Sequence, residues 1–271
     1  MASPHIVTVI DPGDPRVADF RQLNDAEHRR RVESSGPFRR GQFVAEGWLV
    51  LERLLRSRYE PQAILVASDR LDRLAALVGD RSVPTFVAEQ SVVDEIVGFP
   101  LHRGVVATAD RGLAPFADAV IRRSRRLVIL EGINDAENLG AILRSARALG
   151  GDGVLLDSTC ADPLSRRSVR VSMGHALSLE MARFTWDDHA AMLRAAGFTI
   201  CAMSPGAVAT DIDTVELPES SKVAVMLGAE GPGLSERAID AADLVVRIPL
   251  ADGVDSLNVA AAAAIALQRL F

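Results

Sequence analysis

Short apolar runs separated by amphipathic stretches recur along this chain, and their alternation predicts strands and helices in turn. Residues 42–47 form a short strand with a turn, after which Leu49, Leu51, Leu54 and Leu55 fall at helical spacing over residues 48–58. A compact strand at 63–67 leads to a helix over 71–77, a strand at 83–87, a short helix over 89–97 and a closing strand at 104–109. Ahead of these, residues 16–33 have the charge pattern of a polar helix. Beyond a Pro-interrupted stretch the alternation resumes with strands at 127–130, 153–156, 179–183, 199–203, 223–227 and 244–248. Helices are predicted over 138–149, 163–174, 187–196, 234–241 and 257–270. The class is α/β, with a parallel sheet covered on both faces in the second half. The domains expected are 1–110 and 127–271, joined by a linker at 111–126.

The 271 residues have room for two cores, and 48% hydrophobic with 24% charged residues is ordinary for a soluble globular protein. The longest apolar run, 259–267, is too short to span a bilayer. The N-terminus lacks the basic-then-apolar order of a secretory signal, so the expected location is cytoplasmic, without membrane contact. Cys160 and Cys201 form no ligand cluster and the five His are scattered, so no metal is expected. A net charge of −6 conceals an asymmetry: residues 1–126 hold 19 Arg against 17 Asp and Glu, a balance of +2. Residues 127–271 hold 11 basic and 19 acidic residues, a balance of −8. The first part has no Lys, and although Arg-rich codon usage accounts for that ratio, placement says more. Arg29, Arg30 and Arg31 on one side and Arg39 and Arg40 on the other bracket Ser34-Ser35-Gly36-Pro37, a basic loop suited to phosphate.

The dinucleotide fingerprint GxGxxG is missing after the strand at 127–130, and so is the phosphate loop GxxxxGK[ST], which disfavours NAD and ATP enzymes of those types. Three other stretches combine turn residues with polar groups. They are Asn138-Leu139-Gly140-Ala141-Ile142-Leu143-Arg144, then Leu227-Gly228-Ala229-Glu230-Gly231-Pro232-Gly233, then Ile248-Pro249-Leu250 running on to Ser256-Leu257-Asn258-Val259. In order and spacing they resemble the three motifs of the SpoU (TrmH-like) family of RNA ribose 2′-O-methyltransferases, in the SPOUT class. The likeness is strong over 127–271. It extends more weakly to Phe43-Val44-Ala45-Glu46-Gly47 and Gly104-Val105-Val106-Ala107, which resemble the start and end of the family's L30e-like substrate-binding domain.

The resemblance implies a C-terminal SPOUT domain with a deep trefoil knot, S-adenosylmethionine as cofactor, structured rRNA or tRNA as substrate, and a homodimer formed through the C-terminal domain. It implies catalytic roles for Arg144, Asn138, Glu230, Ser256 and Asn258, and cofactor binding by Leu227, Gly228, Gly231, Ile248, Leu250 and Leu257. Each has a plainer reading beside it. Arg144 could share a solvated helix face with Arg147, Asn138, Ser256 and Asn258 could be helix caps, Glu230 could be a loop carboxylate in water, and Ile248 and Leu257 could be core. A guanidinium is a poor base, so positioning and electrostatics are the physically safer role for Arg144. The sequence departs from the family at His175, which replaces an Ala, and at Glu180, near a usual Pro; His175 is read as a packing or surface residue. Arg103, where Gln is common, is a further candidate RNA contact with Arg29, Arg30, Arg31, Arg39 and Arg40. The alternative to an enzyme is a non-catalytic RNA-binding or ribosome-assembly protein that keeps the fold.

Overall fold

The computed structural model describes residues 6–25, 41–206 and 209–271. They fall into two compact units, Met1–Leu113 with Leu164–Ser178, and Ala114–Pro163 with Leu179–Phe271.

In the first unit, β1 (Ile6–Thr8), β2 (Gln42–Glu46), β3 (Pro61–Ala67), β4 (Thr85–Ala88) and β5 (Val105–Asp110) form a five-stranded sheet in the order β1-β4-β3-β5-β2. β1, β4 and β3 run parallel, while β5 is antiparallel to β3 and β2. The helices α1 (Trp48–Leu55), α2 (Leu71–Val78) and α3 (Gln90–Val97) each bury one apolar stripe: Val50, Leu51 and Leu54 on α1, Leu74 and Val78 on α2, Val93, Ile96 and Val97 on α3. The polar helix expected over 16–33 is not found in its described part. Pro15–Phe20 is a 3-10 turn, after which the Gln22 and Leu23 amides donate to the Ile96 and Val97 carbonyls at 2.9 Å. Satisfying the end of α3 outweighs continuing a helix there.

Residues 164–178, expected in the second domain, pack with the first unit. They contain α6 (Arg166–Val171), shorter than the helix expected over 163–174, because Met173 (φ 56°) and Gly174 (φ 83°) adopt left-handed backbone. Their anchor is Glu46, a buried carboxylate at the end of β2. Arg166 Nε lies 3.2 Å from its Oε2, an ion pair whose geometry falls short of a hydrogen bond, and Arg170 lies 4.0 Å from Oε1. The Arg166 guanidinium also covers the Phe99 ring at 4.6 Å and donates to the Leu23 carbonyl at 2.9 Å.

In the second unit, β6 (Arg126–Glu131), β7 (Gly153–Leu156), β8 (Glu180–Arg183), β9 (Phe198–Met203), β10 (Thr210–Asp211), β11 (Lys222–Gly228) and β12 (Leu244–Arg247) build a seven-stranded sheet. The order is β10-β12-β9-β11-β6-β7-β8, and every pair is parallel. Around it lie α4 (Ala117–Arg123), α5 (Ala136–Ala148), α7 (Trp186–Ala195), α8 (Glu236–Ala241) and α9 (Val259–Leu270). The stretch expected as a linker at 111–126 thus contains α4. Leu127 and Ile129 of β6 and Ala224 and Met226 of β11 pack into one core with Val120, Ile121, Leu193 and Ala238. The alternate residues Val128, Leu130, Val225 and Leu227 are equally buried. Helix α9 packs against β11 and against α5. Burial on both faces is why these strands read as unbroken apolar runs.

Candidate active site

The site forms at the carboxyl ends of the central strands, where open parallel sheets place their ligands. β11 ends at Gly228, and the chain folds back on itself so that the Gly233 amide donates to the Ala229 carbonyl at 3.0 Å. A Cβ on Gly228 would stand 2.2 Å from the Gly233 carbonyl carbon and 2.4 Å from the Leu234 nitrogen, so only glycine fits. Glu131, paired with Gly228 across the β6–β11 ladder, accepts from the Ser235 amide at 2.8 Å, the Ser235 hydroxyl at 2.9 Å and the Trp186 indole at 3.1 Å. It therefore holds both ends of the 228–235 loop. Glu131, Trp186 and Ser235 were absent from the sequence-derived site, because a strand-end carboxylate carries no spacing signal.

Glu230 rides on this loop and meets two amides from helix starts. Its Oε1 accepts from Asn138 Nδ2 at 3.1 Å and Asn258 Nδ2 at 2.8 Å, and Asn258 Nδ2 also lies 2.9 Å from Asn138 Oδ1. Glu230 Oε2 is left without a hydrogen-bond partner among the described residues. Asn258 Oδ1 caps α9, accepting from the Ala260 and Ala261 amides at 3.0 and 3.3 Å. The cap of α5 is Asp135, which accepts from Glu137 and Asn138 amides at 2.7 and 2.9 Å. The cap readings of Asn138 and Ser256 are thus corrected: Asn138 lies inside the first turn, and Ser256 precedes the true cap by two residues.

Below this triad lies a cavity of about 480 Å³. Leu227, Gly228, Gly231, Ile248, Leu250 and Leu257 all line it, as do Glu230, Ser256 and Asn258. Ser204 and Pro205, following β9, line it too and were not singled out from sequence, although the end of a central parallel strand is where such a residue belongs. Arg247, also on the wall, pairs with Asp211, and that carboxylate raises the guanidinium pKa above its ordinary value. Apolar walls interrupted by backbone amides and carbonyls suit a flat heterocycle with polar edges.

Arg144 is exposed and has no hydrogen bond or ion pair among the described residues, so it does not join the Glu230 triad. Ser256 is likewise exposed with its hydroxyl unpartnered among the described residues. In the first unit, Arg103 is exposed. Arg29, Arg30, Arg31, Arg39 and Arg40 lie outside the described residues. Burial, joined by the Asp157 carboxylate, pushes the Cys160 thiol up to about 12. Burial with the Asp243 charge pushes Cys201 up to about 12. Burial opposes the charge of Asp157 itself, but bonds from Thr159, Cys160 and the Gly132 amide outweigh it and leave its pKa below the ordinary value. No cluster of His, Cys, Asp and Glu able to hold a metal occurs among the described residues.

Residues 125–268 match the model of the SpoU rRNA Methylase family. A Mycobacterium tuberculosis protein described as an uncharacterized tRNA/rRNA methyltransferase is 42% identical over 263 residues, covering 96% of this chain and 90% of its own length. An AdoMet-bound rRNA methyltransferase from Sinorhizobium meliloti superposes with a TM-score of 0.80 at 27% identity, covering 97% of this chain and 96% of that one. A structure described as an RNA 2′-O ribose methyltransferase gives a TM-score of 0.74 at 25% identity, with 97% of both chains covered.

Proposed function

The chain belongs to the SpoU rRNA methylase family, and from that membership we propose that it methylates the ribose 2′-oxygen of a structured rRNA or tRNA with S-adenosylmethionine. The observation that carries the reading is the convergence of Asn138, Glu230 and Asn258 by hydrogen bonds at the cavity lined by Gly228, Ile248, Leu250 and Leu257. The cavity fits the cofactor in kind: Leu227, Ile248 and Leu257 supply apolar walls for adenine, and the Gly228 loop brings bare backbone to its edge. The cofactor, when bound, supplies an electrophilic methyl group on a sulfonium.

This chain's residues then have to hold a ribose and take up a hydroxyl proton. Arg144, exposed and unpaired among the described residues, offers a cation to the target phosphate, which orients the adjacent hydroxyl. Glu230 offers Oε2 as acceptor for the hydroxyl hydrogen, while the two amides on Oε1 hold the carboxylate in place. Ser256 presents a free hydroxyl to the same opening. Arg103, with Arg29, Arg30, Arg31, Arg39 and Arg40, would supply phosphate contacts for the RNA. The reading also carries a homodimer through the second unit, supported by the exposed apolar residues Ile265, Val254 and Leu257. A trefoil knot belongs to it as well, as the resemblance to the SPOUT class implies, and the strand order is compatible with it. No helix among the described residues is long and apolar enough to cross a membrane, and the reading takes the cytoplasm, where its RNA substrates lie, as the place of work.

Arg144→Ala is expected to abolish methyl transfer to RNA while S-adenosylmethionine affinity, read by calorimetry, stays within about twofold. Unchanged turnover would remove Arg144 from the chemistry. Absence of cofactor binding in the wild type would favour the non-catalytic RNA-binding alternative. Mapping 2′-O-methyl positions in rRNA and tRNA from a deletion strain identifies the target.

A further inference from the structure

The first unit carries a basic aromatic cluster to which the methyl-transfer chemistry gives no task. Gly47 ends β2 and precedes α1, whose start has no side-chain cap. Arg103 covers that start: its Cδ lies 2.8 Å and a terminal guanidinium nitrogen 3.3 Å from where a Cβ on Gly47 would stand. Arg70 lies flat against Gly104 in the same way, its Nε 2.7 Å and Cζ 2.8 Å from the position of a Cβ there. Both guanidiniums approach bare backbone that any larger residue would push away. Trp48, the residue after Gly47, has the Arg73 guanidinium over its ring at 4.3 Å from the centroid. The Trp48 indole N–H is buried with no hydrogen-bond partner.

The cluster's charge is largely unspent. Arg73 and Arg103 are exposed and have no carboxylate partner among the described residues. Asp69 lies 3.6 Å from Arg70 Nε but is 70% exposed, so water screens the pair. Glu46 is taken by Arg166 and Arg170, Glu89 accepts the Ser68 hydroxyl at 2.9 Å, and Asp72 is exposed to water and makes no ion pair with these guanidiniums. Guanidiniums over an uncapped helix start suit a phosphate. A guanidinium stacked on an indole presents a flat cationic platform that suits an aromatic base. Brought together by residues 47–48, 70–73 and 102–104, the two features match the two ends of one nucleotide.

We propose that this cluster docks an unpaired RNA nucleotide, with its phosphate held by Arg70 and Arg103 at the start of α1 and its base stacked on the Trp48–Arg73 pair. The proposal rests on the RNA reading above and narrows it, since a paired base inside a duplex has no free face to offer.

The chain has two Trp, and Trp186 is buried with its indole bonded to Glu131, so the oligonucleotide-dependent quenching that a Trp48→Phe variant loses is the part that reports on Trp48. The full-length protein is titrated with a short single-stranded oligoadenylate, an abasic ribose-phosphate oligomer of equal length, and a blunt duplex. The oligoadenylate is expected to quench the emission and the other two to leave it unchanged. Arg73→Ala should weaken oligoadenylate binding roughly tenfold through lost stacking. Arg103→Gln should weaken it and lower its salt slope by about one. Equal quenching by the abasic oligomer or the duplex, or unchanged binding in both variants, overturns the proposal. Methyl transfer to total RNA is measured alongside. Transfer without oligoadenylate quenching removes the docking site and leaves the enzyme reading intact, whereas quenching without transfer does the reverse.

Discussion

Asn258 divides one amide between two tasks, its oxygen closing the first turn of α9 and its nitrogen bonding Glu230 and Asn138. The division makes stability and chemistry separable at one position. Asn258→Ala should cost about 1 kcal/mol of stability through the lost cap and also lose methyl transfer. Asn258→Asp keeps a capping oxygen but sets a second carboxylate against Glu230. It should melt near the wild type and still lose transfer at neutral pH. Thermal denaturation beside a methyl-transfer assay checks both, and an active Asn258→Asp enzyme would break the assignment. The sequence singled out Asn138, Glu230 and Asn258 and offered Asn258 as a cap, but it did not choose Asp135 over Asn138 or Asn258 over Ser256. Asp135 and Asn138 lie within one turn of each other, as do Ser256 and Asn258, and each is able to cap. Composition alone does not choose among neighbouring capping residues, because the choice depends on where the first helical hydrogen bond closes.

The strands of the second unit were among the most legible elements, because burial on both faces leaves a short unbroken apolar run. Elements held by tertiary partners were not. β10 is two residues long, and α6 stops where Met173 and Gly174 turn left-handed. Neither β10 nor the end of α6 has a periodicity to read. The glycine loop falls between these cases, since its glycines were visible while the back-folding that requires Gly228 was not. Gly228→Ala puts a methyl group into the Gly233 carbonyl, so the whole loop must move, taking Glu230 away from Asn138 and Asn258. Overpacking of this kind commonly costs about 1–3 kcal/mol, and the expected result is S-adenosylmethionine affinity lowered roughly tenfold by calorimetry. Unchanged affinity would mean that the loop does not shape the cofactor cavity.

At the scale of the molecule, α9 leaves Ile265 42% exposed, with Val254 48% and Leu257 37% exposed on the preceding segment. Apolar exposure on α9 and the segment before it is what the proposed subunit contact would cover. Ile265→Glu is expected to shift the mass measured by light scattering from dimer to monomer and to reduce transfer with it, whereas a wild-type monomer would end the dimer reading. The two-part organisation was legible from the break in alternation. The allocation of residues 164–178 was not, because the partner of Arg166 and Arg170 is a carboxylate some 120 positions away in the chain. That allocation bears on synthesis. As the nascent chain leaves the ribosome, β2 and its sheet emerge with Glu46 still lacking both of its cations. A carboxylate without its partner resists being drawn out of water, so the amino-terminal body is expected to close fully only after residues 164–178 are made. The first body to be begun would then be completed only after β6, α5 and β7 of the second have been made.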